Sequence, residues 1–213
     1  MDNRYVKIFA SGSKAPLKAT PGHFATNHAH INYYLDMTTL KTRLSEAQEV
    51  AKHLAERFLF DKVVDTIVCL EGTQVIGAYL AEELTRAGVL STNAHKTIYV
   101  ITPEYNSNSQ MVFRENILPM VHGKNVVILT AVVTTGLSLN KSIEAIQYYG
   151  GKLQSAAAVF STLDELNGCP ITSIYSPEDV TDYLYYDYRK CPLCEKGIKL
   201  DALVNAYGYT TLP

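Results

Sequence analysis

No stretch of this chain is apolar for long enough to span a bilayer, and its first residues, Met1-Asp2-Asn3-Arg4-Tyr5, lack the unbroken apolar run of a signal peptide. The chain is therefore expected to stay in the cytoplasm and away from membranes. An excess of basic charge is lacking too. Nineteen Lys and Arg face 21 Asp and Glu, a formal charge of −2, and no Lys/Arg-rich stripe runs along the sequence. No field draws a polyanion, so nucleic acid is not an expected partner. Cysteine is scarce: Cys69, Cys169, Cys191 and Cys194 are too few and too unevenly spaced for a disulfide framework, and they are read as reduced. No segment is compositionally biased, no repeat recurs at a fixed period, and no linker divides the chain. The 213 residues, 47% hydrophobic and 19% charged, are thus read as one domain with a core of ordinary size. Tryptophan is missing altogether, while tyrosine is in excess at 15, clustering at Tyr183, Tyr185, Tyr186 and Tyr188.

Periodicity orders the rest. From Ser45, with Gln48 three residues on as a possible capping box, Ala47, Val50, Ala51, Leu54 and Phe58 recur on one helical face. The nearly continuous β-branched run Val63 to Leu70 predicts a parallel strand buried on both faces, ended by Glu71-Gly72-Thr73. A helix is expected from Val75 to Ala87, stopped by Gly88, and a strand from Thr97 to Ile101. The polar segment Thr102 to Lys124 is long for a connection in a compact domain and is read as a lid. A strand follows at Asn125 to Leu129, then Thr130 to Gly136, a helix from about Ser138 to Tyr149, the pair Gly150-Gly151, and a strand near Ala156 to Phe160. Strands alternating with helices predict a doubly wound parallel sheet, whose ligands bind beyond the carboxyl ends of its strands. The loops at Glu71, Thr102 and Thr130 should meet there.

The most informative stretch is Val126-Val127-Ile128-Leu129 followed by Thr134-Thr135-Gly136-Leu137-Ser138 and a helix. Backbone N–H groups at a helix N-terminus point at an anion and the helix dipole favours its charge. Thr134, Thr135 and Ser138 each add a hydroxyl donor, and Gly136 permits close backbone approach. The residues alone fit either a phosphate-binding turn or an ordinary helix cap, where Thr and Ser are common.

This segment is similar to the phosphoribosyl-diphosphate-binding signature of phosphoribosyltransferases, in which hydrophobic residues lead into two acidic residues, two apolar ones, and Thr-Thr-Gly. Thr130 and Ala131 stand at the two acidic positions, which in the family face the ribose hydroxyls. Further pieces follow the order found in the orotate phosphoribosyltransferases. Gly22-His23-Phe24 and Tyr33-Tyr34-Leu35-Asp36 resemble the N-terminal hood. Glu104, Met111, Arg114 and Gly123-Lys124 follow its flexible loop, and Cys191-Pro192-Leu193-Cys194 with Gly197-Ile198 resembles the tail of many members. The chain thus resembles this family over nearly its whole length.

The resemblance implies a type I phosphoribosyltransferase-like α/β fold: a parallel sheet flanked by helices, with an N-terminal hood (1–44), an α/β core (45–175) and a C-terminal tail (176–213), and it implies a homodimer. It implies transfer of ribosyl 5-phosphate from phosphoribosyl diphosphate, with Mg²⁺, to a pyrimidine-like base. In that scheme Thr134 to Ser138 hold the 5-phosphate, Glu71, Gly72, Thr73 and Gln74 form the diphosphate loop, and Arg114 closes on the leaving diphosphate. Phe24, Tyr33, Tyr34 and Thr162 are expected to face the base. The family's Asp-Arg pair for the orotate carboxylate is replaced by Ser161 and Thr162. Glu71 is either a turn carboxylate or, through Mg²⁺, a partial substitute for the missing acids. With Thr130, Ala131, Ser161 and Thr162 in those places, the competing reading is a homologue without transfer chemistry that serves as a nucleotide-binding sensor. Cys191 and Cys194 have the spacing of half a zinc site and are expected to be a packed or surface pair unless a dimer or a histidine completes them. His23, His28 and His30 are expected to be hood residues rather than a metal cluster.

Overall fold

A computed structural model describes residues 5–58, 62–86, 92–93 and 97–212. Its central element is β8 (Asn125–Val133), whose sequence NVVILTAVV is nearly all β-branched or apolar. Such a strand can be buried on both faces, and this one is. Val127, Leu129 and Ala131 enter one core cluster, Val126 and Ile128 the other. Parallel partners flank it: β4 (Thr66–Cys69) on one side and β9 (Lys152–Ser161) on the other. β5 (Tyr99–Ile101) extends the sheet beyond β4, and β11 (Cys169–Tyr175) beyond β9, both parallel. The short β10 (Glu165–Leu166) closes the edge antiparallel to β11 through Asn167 and Gly168, both left-handed at φ 51° and 77°. That Asn-Gly pair suits a tight hairpin turn.

Helices cover both faces. α2 (Leu44–Phe58) and α3 (Gln74–Arg86) bury Val50, Leu54, Ile76 and Leu80 against Ile67 and Leu129. α4 (Leu137–Tyr148) buries Leu139, Ile143 and Ile146 against Val126 and Ile128. The expected capping box is not formed. α2 begins at Leu44, directly after the short α1 (Thr38–Thr42), so Ser45 already lies inside it and Ala47 N–H bonds the Arg43 carbonyl. The Phe58 side chain and the predicted stop at Ala87-Gly88 lie outside the described residues. β4 is shorter than the apolar run suggested, and β8 runs on through Val133, so Thr130 and Ala131 are buried strand residues rather than the start of a loop.

The segment 102–124, read as a lid, has secondary structure of its own. It folds back as β6 (Glu104–Tyr105) and β7 (Met111–Val112), and the Asn106 carboxamide oxygen caps the turn by accepting from the N–H groups of Asn108 and Gln110 at 2.9 and 3.0 Å. Met111, Phe113 and Val121 anchor it by burying in the second core cluster.

A second sheet joins the two ends of the chain. β1 (Val6–Ile8), β2 (Leu17–Ala25) and β3 (His30–Asp36) form an antiparallel unit; β12 (Tyr185–Tyr186) adds beside β3, and β13 (Ala202–Asn205) runs parallel to β2, followed by β14 (Gly208–Thr211). The register slips between Pro21 and Phe24, where Gly22 lets the Asp201 carboxylate come close enough to accept from His23 N–H at 2.8 Å. The C-terminal tail is therefore woven into the N-terminal sheet through β12, β13 and β14. Among the described residues no helix is long and apolar enough to cross a membrane.

Candidate active site

β4 delivers the chain to Glu71 and Gly72, both left-handed at φ 56° and 79°. Glycine adopts this conformation freely, but a glutamate does so at a cost of about 1–3 kcal/mol, so the surroundings must hold it. They do so through its side chain. The Glu71 Oε2 atom accepts from Thr130 Oγ1 at 2.8 Å and from Ala131 N–H at 3.2 Å on the neighbouring strand β8. A carboxylate from the next loop thus sits against the two residues that replace the family's acidic pair.

Lys41 holds the same loop from the other side. Its side chain is buried, and its ammonium donates to the Glu71 carbonyl at 2.8 Å and to the Ala206 carbonyl. Burial pulls its pKa down, while the charges of Glu71 and Asp36 partly oppose that. No sequence pattern marked Lys41: it is one lysine on the five-residue helix α1, and its partners lie 30 and 165 positions away. Thr73 has a structural task in this loop. Its hydroxyl is buried and donates to the Leu70 and Leu129 carbonyls at 2.7 and 3.1 Å, so its side chain ties the loop down, whereas Gly72 is half-buried and Gln74 exposed at the start of α3.

At the end of β8, Thr134 and Thr135 are half-buried, and Gly136 is the N-cap of α4 at φ 75° with no side-chain cap bond. The first-turn amides of α4 are therefore left to an external acceptor. Leu137 and Ser138 are exposed at this end. The loop is braced from behind: Thr162 Oγ1 donates to the Thr134 carbonyl at 2.6 Å, and Leu163 and Leu166 pack against Gly136. Thr162 thus braces the turn before α4, while Ser161 is buried and donates to the Leu163 carbonyl at 2.6 Å.

Arg114 is exposed and its Nε and Nη2 donate to Glu104 Oε2 at 2.9 and 2.7 Å, clasping the base of the β6–β7 hairpin. The pairing holds the Glu104 carboxyl below its usual range. The expected base-facing set needs correction. Phe24 is 1% exposed and belongs to the core beneath the N-terminal sheet, with the buried Tyr34 ring 6.1 Å away. Burial, with Asp36 and Tyr209 nearby, pushes the Tyr34 hydroxyl up to about 12. Alternation along β3 leaves Tyr33 half-buried on the opposite face. Tyr207, which no motif singled out, lies with its ring 5.8 Å from Lys41 Nζ.

Cys191 and Cys194 are not an isolated pair. His23 and His30, on paired strands, bring ring nitrogens to them, and the four ligand atoms lie within 4.8 Å of one another. His28 stands apart, exposed in the turn between β2 and β3. The half site was visible in the Cys-x-x-Cys spacing; its other half was not, because the strands and tail are brought together by the long-range β2–β13 and β3–β12 pairings.

No protein-family model matches the chain. It is 26% identical over 180 residues to an orotate phosphoribosyltransferase of Desulforamulus reducens, covering 83% of this chain and 85% of the relative. The identity is also 26%, over 183 residues, to that of Caldanaerobacter subterraneus, covering 84% and 86%. Among solved structures, Mycobacterium tuberculosis orotate phosphoribosyltransferase in complex with Fe(III) dicitrate superposes with a TM-score of 0.53 at 16% identity, over 78% of this chain and 93% of that one. The same enzyme in complex with 5-phospho-α-D-ribosyl 1-diphosphate gives 0.52 at 16% identity, over 69% and 82%. The chain has the type I phosphoribosyltransferase fold, and its resemblance to orotate phosphoribosyltransferases spans most of its length.

Proposed function

We propose that this chain is a phosphoribosyltransferase of the orotate type that takes phosphoribosyl diphosphate with Mg²⁺ and passes its ribosyl 5-phosphate to a pyrimidine-like base. A base nitrogen, its proton released to solvent, forms the new bond to the ribose C1 while the C1–oxygen bond breaks, and diphosphate leaves with that electron pair. The observation that carries the reading is the Glu71 carboxylate against Thr130 and Ala131, one strand away from the uncapped N-terminus of α4. It returns a negative charge to the place where the signature has lost two.

The residues fit the implied group. Mg²⁺ is commonly held by one or two carboxylates together with substrate phosphates and water, and Glu71 supplies one such carboxylate on the diphosphate loop. When bound, the ion would neutralise charge on the leaving diphosphate. The chain's own share is positioning. Thr134 to Ser138 and the α4 amides bind the 5-phosphate, Glu71 faces the ribose, and Arg114, released from Glu104, turns to the diphosphate. Orotate lacks its usual arginine partner here, since Ser161 and Thr162 are spent on bracing the loop. An uncharged pyrimidine is therefore the first acceptor to try beside orotate.

The test is a diphosphate-release assay with phosphoribosyl diphosphate and Mg²⁺ across orotate, uracil and other bases. Base-dependent release with formation of the nucleotide is expected. Binding of phosphoribosyl diphosphate with no release for any base would replace the reading with that of a sensor.

A further inference from the structure

Four side chains outside the phosphate site converge where the N-terminal sheet meets the tail. Cys191 Sγ lies 3.4 Å and Cys194 Sγ 3.7 Å from His23 Nε2. Cys194 Sγ is 3.3 Å from His30 Nδ1, and the two ring nitrogens are 3.1 Å apart. We propose that His23, His30, Cys191 and Cys194 form a closed structural zinc site that fastens the tail to the N-terminal sheet.

These four separations, 3.1 to 3.7 Å, lie close to the edges of a coordination tetrahedron, and all four ligand atoms fall within 4.8 Å of one another. With metal–sulfur and metal–nitrogen bonds of about 2.3 and 2.0–2.1 Å, tetrahedral angles place the ligand atoms about 3.3–3.8 Å apart. Hydrogen bonding alone explains the cluster poorly. Two thiols and two imidazoles offer few strong donors and acceptors, whereas two thiolates and two neutral imidazoles around a divalent cation leave no net charge to bury. The orienting contact is also present. His23 Nδ1 is 2.9 Å from the Ile198 carbonyl, which can only accept, so Nδ1 carries the proton and Nε2 turns its lone pair to the sulfurs. His23 and Cys191 are each 1% exposed, so water does not reach the inner half of the site. Cys191 is the N-cap of the short α5 (Pro192–Glu195), and Cys194 lies on that helix. Tetrahedral sulfur–nitrogen coordination with four protein ligands fits zinc and leaves no open position for catalysis.

The fastening has a target. Beyond Cys194 the tail continues into β13 and reaches Ala206, whose carbonyl accepts from Lys41, the residue that also holds Glu71. The ion would fix the sheet from which this support hangs. The proposal does not rest on the transferase reading.

Elemental analysis of the purified full chain, with cobalt(II) reconstitution, tests it. One zinc per chain is expected, together with a cobalt form showing tetrahedral visible bands and thiolate-to-cobalt charge transfer. Cys194→Ser and His30→Ala, at the less buried half of the site, should each lose the metal and the charge-transfer band, while Glu71→Gln should keep both. A chain that takes up neither metal, a Cys191–Cys194 disulfide in the protein as purified, or full zinc retention in both variants would overturn the proposal.

Discussion

At the scale of single residues, backbone handedness and burial decide most. Gly136 sits at φ 75°, and a Cβ there would lie 3.0 Å from Leu163 and 3.1 Å from Leu166. Gly136→Val should cost about 1–3 kcal/mol from the backbone alone, more with the clash, and abolish phosphate binding. Thermal melts and phosphate titration of the variant check both effects. The Thr-Thr-Gly tail of the signature made this glycine legible in advance. Glu71 was legible only as an alternative, because its left-handed turn and its reach across to β8 depend on two strands being neighbours. Buried hydroxyls set the behaviour in alkali. Burial holds Tyr34 and Tyr183 up to about 12, with Thr134 opposing it slightly at Tyr183. Both pKa values are raised by folding, so the stability these groups contribute is complete below the unfolded tyrosine value of about 10 and is lost as pH rises through about 12. Ultraviolet titration should show these two tyrosines ionising last and together with unfolding.

At the scale of elements, strands buried on both faces were readable and edges were not. β8 announces itself by the apolar run Val126 to Leu129, although its continuation through Thr130 to Val133 did not. β11 and β10 carry mixed polarity and a hairpin turn, so nothing in periodicity separated them from loop. The β6–β7 hairpin was hidden for a similar reason: its polar tip dominated the reading, while its apolar anchor is only the short run Met111-Val112-Phe113. The hairpin carries Arg114 on an exposed ion pair, and exposed pairs add little to stability. Arg114→Ala should therefore leave the melting temperature nearly unchanged and lower the turnover number at least tenfold. An unchanged turnover number would remove Arg114 from the diphosphate. Glu104→Gln, which frees the guanidinium, should not reproduce that loss.

At the scale of the whole molecule, the two ends of the chain build one sheet, and this was the least legible feature. β2 and β13 are parallel neighbours separated by some 180 positions of sequence, so the four metal-ligand candidates and the Lys41–Ala206 contact came into view only with the tail in place. The central sheet, in contrast, followed from local alternation of strand and helix. The proposed activity turns on one exchange: the two carboxylates of the family signature are absent at positions 130 and 131, and Glu71 offers one in their place. Calorimetric titration of the native chain and of Glu71→Gln with phosphoribosyl diphosphate and Mg²⁺ tests it most directly. Removing a charge-assisted interaction of about 1.5–3 kcal/mol should weaken Mg²⁺-dependent binding by roughly ten- to a hundredfold. Equal affinity in the two proteins, or no binding by the native chain, would contradict the claim that Glu71 takes the place of the missing acidic pair.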